Sequence, residues 1–173
     1  RIVKMLLRYR TGTLEGQLNL LDSHDVNRFL SYCEGDIRRL RLAEVFLFTS
    51  PGIPCVFYGD ELGMDGNSEA TLRGPMPWEK LQDNRDDFFT RLIAIRKEHK
   101  ELIYGDYTLR YMDQDGGYIY QRTWGNRKII VCLNNGSAAI DLQQYLENGS
   151  VLLSESYEKE KLGSMGYVIL ETK

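Results

Sequence analysis

Two short apolar runs, Leu18-Asn19-Leu20-Leu21 and Ile53-Pro54-Cys55-Val56-Phe57-Tyr58, each end abruptly in polar or glycine residues, with a helical pattern between them. A short run of this kind, closed by turn-forming residues, reads as a strand buried on both faces. Buried strands that alternate with helices pair in parallel through right-handed crossovers. Two such strands leave outer edges and inner faces that neither can cover for the other. The pattern therefore belongs to a larger α/β sheet or barrel.

The helical stretches fit that alternation. Asp36 is placed to cap a helix whose apolar positions include Ile37, Leu40, Ala43, Phe46 and Leu47. Ser50-Pro51-Gly52 stops it, because proline and glycine both interrupt helical backbone. Nearer the start, Ile2, Leu6 and Tyr9 recur at helical spacing, and Gly12 and Gly16 bracket a loop. A polar excursion rich in glycine, proline and charge runs from Gly63 to Asn84. Asp86 then opens a helix with Phe88, Leu92 and Ile95 along one face.

Past His99 the texture changes. Tyr107–Met112, Tyr118–Trp124, Lys128–Leu133 and Tyr167–Leu170 are rich in β-branched and aromatic residues. Turn signals separate them: Asp115-Gly116-Gly117, Gly125-Asn126, Asn134-Asn135-Gly136 and Asn148-Gly149. Short strands at this spacing predict an antiparallel sandwich or meander. The chain thus divides into an α/β segment, residues 1–101, and an all-β domain, residues 102–173. At roughly seventy residues the second part is near the lower limit for independent stability. Its face is expected to pack on the helix from Asp86 to His99.

Composition narrows the function classes. A net charge of -3 without a clustered basic surface argues against nucleic-acid or anionic-membrane partners. No apolar run approaches the roughly 18 residues that span a bilayer. The three cysteines (Cys33, Cys55 and Cys132) lack metal-ligand spacing and read as reduced thiols of a cytoplasmic protein. With two histidines, His24 and His99, a His-rich metal site is excluded, and no cofactor is expected.

In parallel α/β folds the active site lies beyond the C-terminal ends of the strands. Asp22, His24, Asp25 and Arg28 hold that position for the first strand, and Tyr58, Asp60 and Glu61 for the second. A carboxylate beside an imidazole, with a guanidinium three residues on, suits gripping a hydroxyl-rich ligand close to a negative charge. By spacing alone, a structural or surface role for the cluster stays open beside that reading.

The wording of these stretches goes further. Leu20-Leu21-Asp22-Ser23-His24-Asp25 resembles the fourth signature region of the α-amylase superfamily, glycoside hydrolases with a TIM-barrel catalytic domain. Gly52 through Gly63, which contains Tyr58-Gly59-Asp60-Glu61, resembles the eighth-strand signature that follows it. Arg73-Gly74-Pro75-Met76-Pro77-Trp78-Glu79 resembles the Arg-x-Pro-Met-x-Trp-Asp/Glu stretch of the barrel's last excursion. The wording is most similar to the neopullulanase and cyclomaltodextrinase branch, and oligo-1,6-glucosidases use close variants. The resemblance implies the C-terminal part of a (β/α)₈ TIM barrel, strands seven and eight with their helices, followed by an antiparallel β-sandwich. It implies a retaining mechanism on α-1,4, and optionally α-1,6, bonds of maltodextrins, cyclodextrins or pullulan.

Residue roles follow from the same resemblance. Asp25 matches the third catalytic carboxylate, which binds sugar hydroxyls and favours the flattened, oxocarbenium-like ring. His24 matches the neighbouring histidine that donates to the same sugar. Arg28 matches an arginine that contacts substrate or orients the acids, with a structural salt bridge as the alternative. Arg73 is placed to reach the site from the excursion. Asp60 and Glu61 are expected to anchor loops, and Tyr58 and Trp78 to pack them. Tyr107, Tyr118, Tyr120 and Trp124 are expected in core and edge packing rather than in a starch-binding surface.

The nucleophile and acid/base regions precede this one in the family by far more than the seventeen residues before Leu18. No Gly-x-Arg-x-Asp pattern occurs, and Gly35-Asp36-Ile37-Arg38 is not one. A whole barrel takes about 250 residues. The chain, opening on Arg1, is therefore expected to be a truncation, inactive alone. Leu18–Leu21 and Cys55–Tyr58 should pair in parallel and leave open edges, covered by a second copy in a homo-oligomer or by the rest of the protein. The rival readings are an exo-acting α-glucosidase, a glucan transferase, or a non-catalytic amylase-like scaffold or carbohydrate-binding module.

Overall fold

The computed structural model describes residues 4, 8–83 and 86–172. The helix expected over Ile2 to Tyr9 lies mostly outside them. A short helix α1 (Thr11–Glu15) leads into β1 (Leu18–Leu20). Helices α2 (Phe29–Tyr32) and α3 (Ile37–Thr49) cross back to β2 (Ile53–Cys55), and a 3₁₀ turn follows at Asp60–Leu62. The polar excursion carries two short helices, α4 (Glu69–Leu72) and α5 (Trp78–Asp83), before α6 (Phe88–Glu98) and α7 (Lys100–Tyr104). Among the described residues no helix is long and apolar enough to cross a membrane.

Local chemistry sets the helix ends. The Asp36 carboxylate accepts from the Arg38 backbone N–H at 3.0 Å and so caps α3. Asp86 does the same for the Phe88 N–H at the start of α6. Gly52, with φ +103°, carries the chain from α3 into β2. A Cβ there would meet the Asn19 amide and lie 2.8 Å from the Gln17 carbonyl oxygen. A side chain at Gly52 would therefore push β1 and β2 apart.

β1 and β2 pair in parallel, Leu18 opposite Ile53 and Leu20 opposite Cys55. Two expectations need correcting. β2 ends at Cys55 instead of running to Tyr58, because Phe57 and Tyr58 turn away to lay their rings against the Arg28 guanidinium. The strands are also not buried on both faces: Leu18 is 57% exposed, and Leu20 and Ile53 are exposed with it. Val56, just past β2, is half-buried against the main core.

The second segment begins within α7, and its strands start at β3 (Asp106–Met112). β4 (Gly117–Trp124), β5 (Arg127–Asn134), β6 (Ile140–Asp141), β7 (Ser150–Glu158) and β8 (Lys161–Thr172) complete one antiparallel sheet ordered β3-β4-β5-β8-β6, with β7 also on β8. β8 bends around two neighbourhoods. Its second half pairs with β5, its first two residues with β6, and both ends with β7. Register shifts in β7 after Val151 and after Glu155 add to the curl.

Alternation along the strands builds two cores. Tyr120, Ile129, Val131, Tyr167 and Ile169 face α3 and α6, where Val45, Phe48, Leu92 and Ile95 meet them. Ile119, Ile130, Cys132, Val168 and Leu170 point the other way and are closed over by Leu142, Leu162, Tyr145 and Tyr157. The expected packing of the sheet on the helix from Asp86 to His99 is present. Tyr107, Tyr118 and Tyr120 pack as ring pairs within the first core.

Beside that interface lies Arg122, one of the largest fully buried residues. Its Nη1 donates to the carbonyls of Thr49 at 2.8 Å and Leu102 at 3.0 Å, and Nε and Nη2 both donate to Gly105. Burial pulls the guanidinium down to about 10, so it stays charged at neutral pH. One cation thus bonds the C-terminal ends of both α3 and α7, where the helix dipoles favour positive charge. Replacing it with Met would leave several buried carbonyls without donors. Arg122→Met is expected to destabilise the protein by about 3–5 kcal/mol. Arg122→Lys should recover less than half of that, because one ammonium cannot reproduce the planar fork. Urea midpoints of the three proteins measure both effects.

Candidate functional site

The loop between β1 and α2 is held from below. Asp22 is buried, and its Oδ2 accepts from the Phe29 N–H at 2.6 Å, anchoring the loop to the first turn of α2. The Arg28 N–H donates to the Gly66 carbonyl at 2.9 Å, and the Gly66 N–H donates to Ser31 Oγ at 2.9 Å. These bonds fasten the excursion against α2. His24 and Asp25 are thereby presented at the loop tip, with side chains 62% and 71% exposed.

The exposed groups converge. His24 Nε2 lies 3.2 Å from Asp25 Oδ1. Arg73 Nη2 lies 3.9 Å from the same oxygen and its Nη1 3.3 Å from Glu69 Oε1. Surface ion pairs of this kind contribute little to stability. The three side chains are therefore available to a ligand without loss to the fold. Imidazole, carboxylate and guanidinium together offer donors and acceptors to vicinal hydroxyls beside a fixed negative charge.

Arg28 is the correction. Expected at the substrate, it is fully buried, and a buried guanidinium reaches no ligand. Its Nη1 donates to the Tyr58 carbonyl at 2.6 Å and faces Asp60 Oδ1 at 3.4 Å. Phe57 and Tyr58 stack on its plane, with ring centroids 4.0 and 4.6 Å away. It ties the loop after β1 to the loop after β2. Asp60 and Glu61 anchor that second loop as expected, Glu61 by accepting from the Gly59 N–H at 2.8 Å. Tyr58 packs on the excursion through a bond from its hydroxyl to the Gly74 carbonyl at 2.8 Å, whereas Trp78 is exposed. Among the described residues no group of three or more His, Cys, Asp or Glu side chains is placed to hold a metal ion.

A member of the site missed in the sequence is Glu44. It lies in the apolar stripe of α3, four residues after Leu40 and four before Phe48, and both its carboxylate oxygens are buried without a hydrogen-bond partner among the described residues. That intrusion of an acid into an apolar stripe was the available signal. Burial, reinforced by the charges of Asp60 and Asp22, pushes Glu44 up to about 8. Burial and Asp22 likewise hold Asp60 well above the usual carboxylate range, with Arg28 opposing them.

A model of the alpha amylase catalytic domain matches residues 2–87. The chain is 38% identical over 138 residues to a cyclomaltodextrinase of Thermoanaerobacter pseudethanolicus, an alignment that covers 79% of this chain and 24% of the relative. It is 36% identical over 152 residues to neopullulanase 2 of Thermoactinomyces vulgaris, covering 86% of this chain and 26% of the relative. The crystal structure of a debranching enzyme from Nostoc punctiforme superposes with a TM-score of 0.83 at 29% identity, over 99% of this chain and 37% of that one. The chain spans about a quarter of the length of these curated relatives.

The buried acids set a pH dependence. An acid held protonated in the fold but ionised when unfolded lets the native state bind more protons, so stability falls as pH rises between the two pKa values. For Glu44 that window runs from its unfolded value, about 4.3, to about 8. Glu44→Gln keeps the shape and removes the charge. It is expected to be more stable than the parent by about 1–3 kcal/mol at pH 8, the gain shrinking towards pH 5. Thermal unfolding across that range measures it.

Proposed function

Over residues 2–87 the chain belongs to the α-amylase family, and from that premise we propose that it forms the C-terminal part of a retaining glycoside hydrolase. The proposed reaction is cleavage of α-1,4, and in suitable substrates α-1,6, glucosidic bonds of maltodextrins, cyclodextrins or pullulan. The observation that carries the reading is the exposed convergence of His24, Asp25 and Arg73 beyond the C-terminal end of a parallel strand. Relatives named cyclomaltodextrinase and neopullulanase support the substrate class.

In this reading Asp25 accepts hydrogen bonds from hydroxyls of the sugar at the cleavage point. As positive charge develops on the ring, those bonds and the carboxylate's charge strengthen, which lowers the barrier. Arg73 helps to align Asp25, and His24 donates to the same sugar. Arg28 acts as a positioning residue from beneath. The nucleophile and acid/base would come from elsewhere in the protein, whose strands would cover the open edges of β1 and β2 as strands seven and eight of a barrel. Three free thiols support a cytoplasmic location.

In the full-length protein, Asp25→Asn is expected to lower kcat on a maltooligosaccharide by on the order of 10²–10³ while KM changes little. The 173-residue chain alone should release no reducing ends from cyclodextrin. Unchanged kcat with a raised KM would reduce Asp25 to an ordinary substrate binder.

A further inference from the structure

At the end of the sheet carrying the β3–β4 turn, a cleft of about 350 Å³, lined by no residue of the His24 loop, opens between that turn, the segment after β5 and the residues following β6. This volume is at the small end of the range for ligand sites. Two tyrosines form its apolar wall, Tyr111 and Tyr145, with ring centroids 5.7 Å apart and planes tilted by 47°. Both are half-buried, so each ring rests on the second core and turns part of its surface to the cleft. The rim at Ala138 and Ala139 is made of exposed small residues that leave the opening clear.

The floor depends on Gly117. A Cβ there would lie 2.6 Å from Asp113 Oδ2 and 2.9 Å from the Tyr111 ring. Only a glycine lets these two groups meet at the base of the cleft. Asp113 is fixed: Oδ1 accepts from the N–H groups of Gly117 at 2.7 Å and Asp115 at 2.9 Å, and Oδ2 accepts from the Tyr111 hydroxyl at 2.7 Å. By contrast, the Gln144 amide and the Tyr145 hydroxyl have no hydrogen-bond partner among the described residues. Asp141 uses Oδ1 for the Gln143 N–H and leaves Oδ2 open.

We propose that this cleft is a second carbohydrate-binding site, which holds a stretch of α-glucan chain apart from the catalytic loop. The chemistry points to a neutral polyhydroxylated ligand. Tyrosine faces take the apolar C–H face of a pyranose, while free amide, hydroxyl and carboxylate groups meet its hydroxyls. No Lys or Arg lines the cleft, which disfavours phosphate or carboxylate ligands. An organic cation is disfavoured because the inner acid, Asp113, is already saturated by the turn and Tyr111, and the remaining carboxylates, Asp115 and Asp141, are exposed to water. The choice of α-glucan among neutral sugars rests on the function proposed above.

Affinity electrophoresis of the full-length protein through gels containing amylose tests the site. The parent should be retarded. Tyr145→Ala and Gln144→Ala should each weaken the apparent affinity by about three- to tenfold, while hydrolysis of maltotriose stays within twofold. Gln144 is exposed, so Gln144→Ala decides the matter if Tyr145→Ala does not fold. No retardation of the parent, or variants that migrate like it, would overturn the proposal. So would retardation by choline-bearing gels in place of amylose. Amylose retardation that depends on Tyr145 and Gln144 in a protein that hydrolyses no glucan would leave this site standing and sink the hydrolase reading instead.

Discussion

The strand pair beneath the loop of His24 and Asp25 is set by the C-terminal end of α3. Four carbonyls there, those of Phe48, Thr49, Ser50 and Gly52, accept hydrogen bonds from two arginines of other elements, Arg96 and Arg122. Arg96 comes from α6 and Arg122 from β4, so the same helix end is clasped from the helical layer and from the sheet. β2 begins directly after this clasp, and β1 takes its register from β2. Arg96 is pulled below its ordinary value by burial, as Arg122 is. Both desolvated charges face carbonyl dipoles rather than carboxylates, a pairing that helix ends favour.

Around the loop, buried and exposed charges have separate tasks. Arg28 and Asp60, both buried, hold the loops after β1 and β2 in one relation. Asp22 fixes the far end of the first loop to α2. His24, Asp25 and Arg73 stay in water, weakly paired among themselves. A ligand that displaces water from those three meets groups whose backbone is already fixed, so less ordering remains to oppose binding. Glu44 stands outside this division. It adds a buried acid where only one guanidinium is present, and its protonation spares the group a further negative charge.

Local features were the legible ones. The caps of α3 and α6, the stop at Ser50-Pro51-Gly52 and the strands β3, β4 and β5 follow from short-range patterns, and their ends fall within a few residues of expectation. β7 was not legible. Its sequence mixes Ser and Glu with Val and Leu, and two register shifts break the alternation that announces a strand. The end of β2 was misjudged for a related reason, since Phe57 and Tyr58 are apolar but serve Arg28. The motif placed Asp25, His24 and Arg73 near one another, while the burial of Arg28 depends on two loops distant in sequence. Arg122 carried no signal at all, because a strand residue that serves two helix ends is defined only by the tertiary fold.

β8 is a single strand whose alternate residues line both cores, Tyr167 and Ile169 on one side, Val168 and Leu170 on the other. It also borders three partners. A one-residue insertion in an ordinary edge strand disturbs one face and can be absorbed by a bulge. Here it would exchange the contents of both cores and misalign three neighbours together. Length variation among descendants of this sequence should therefore accumulate in the segment between β5 and β7, with β8 keeping its length even where its residues change.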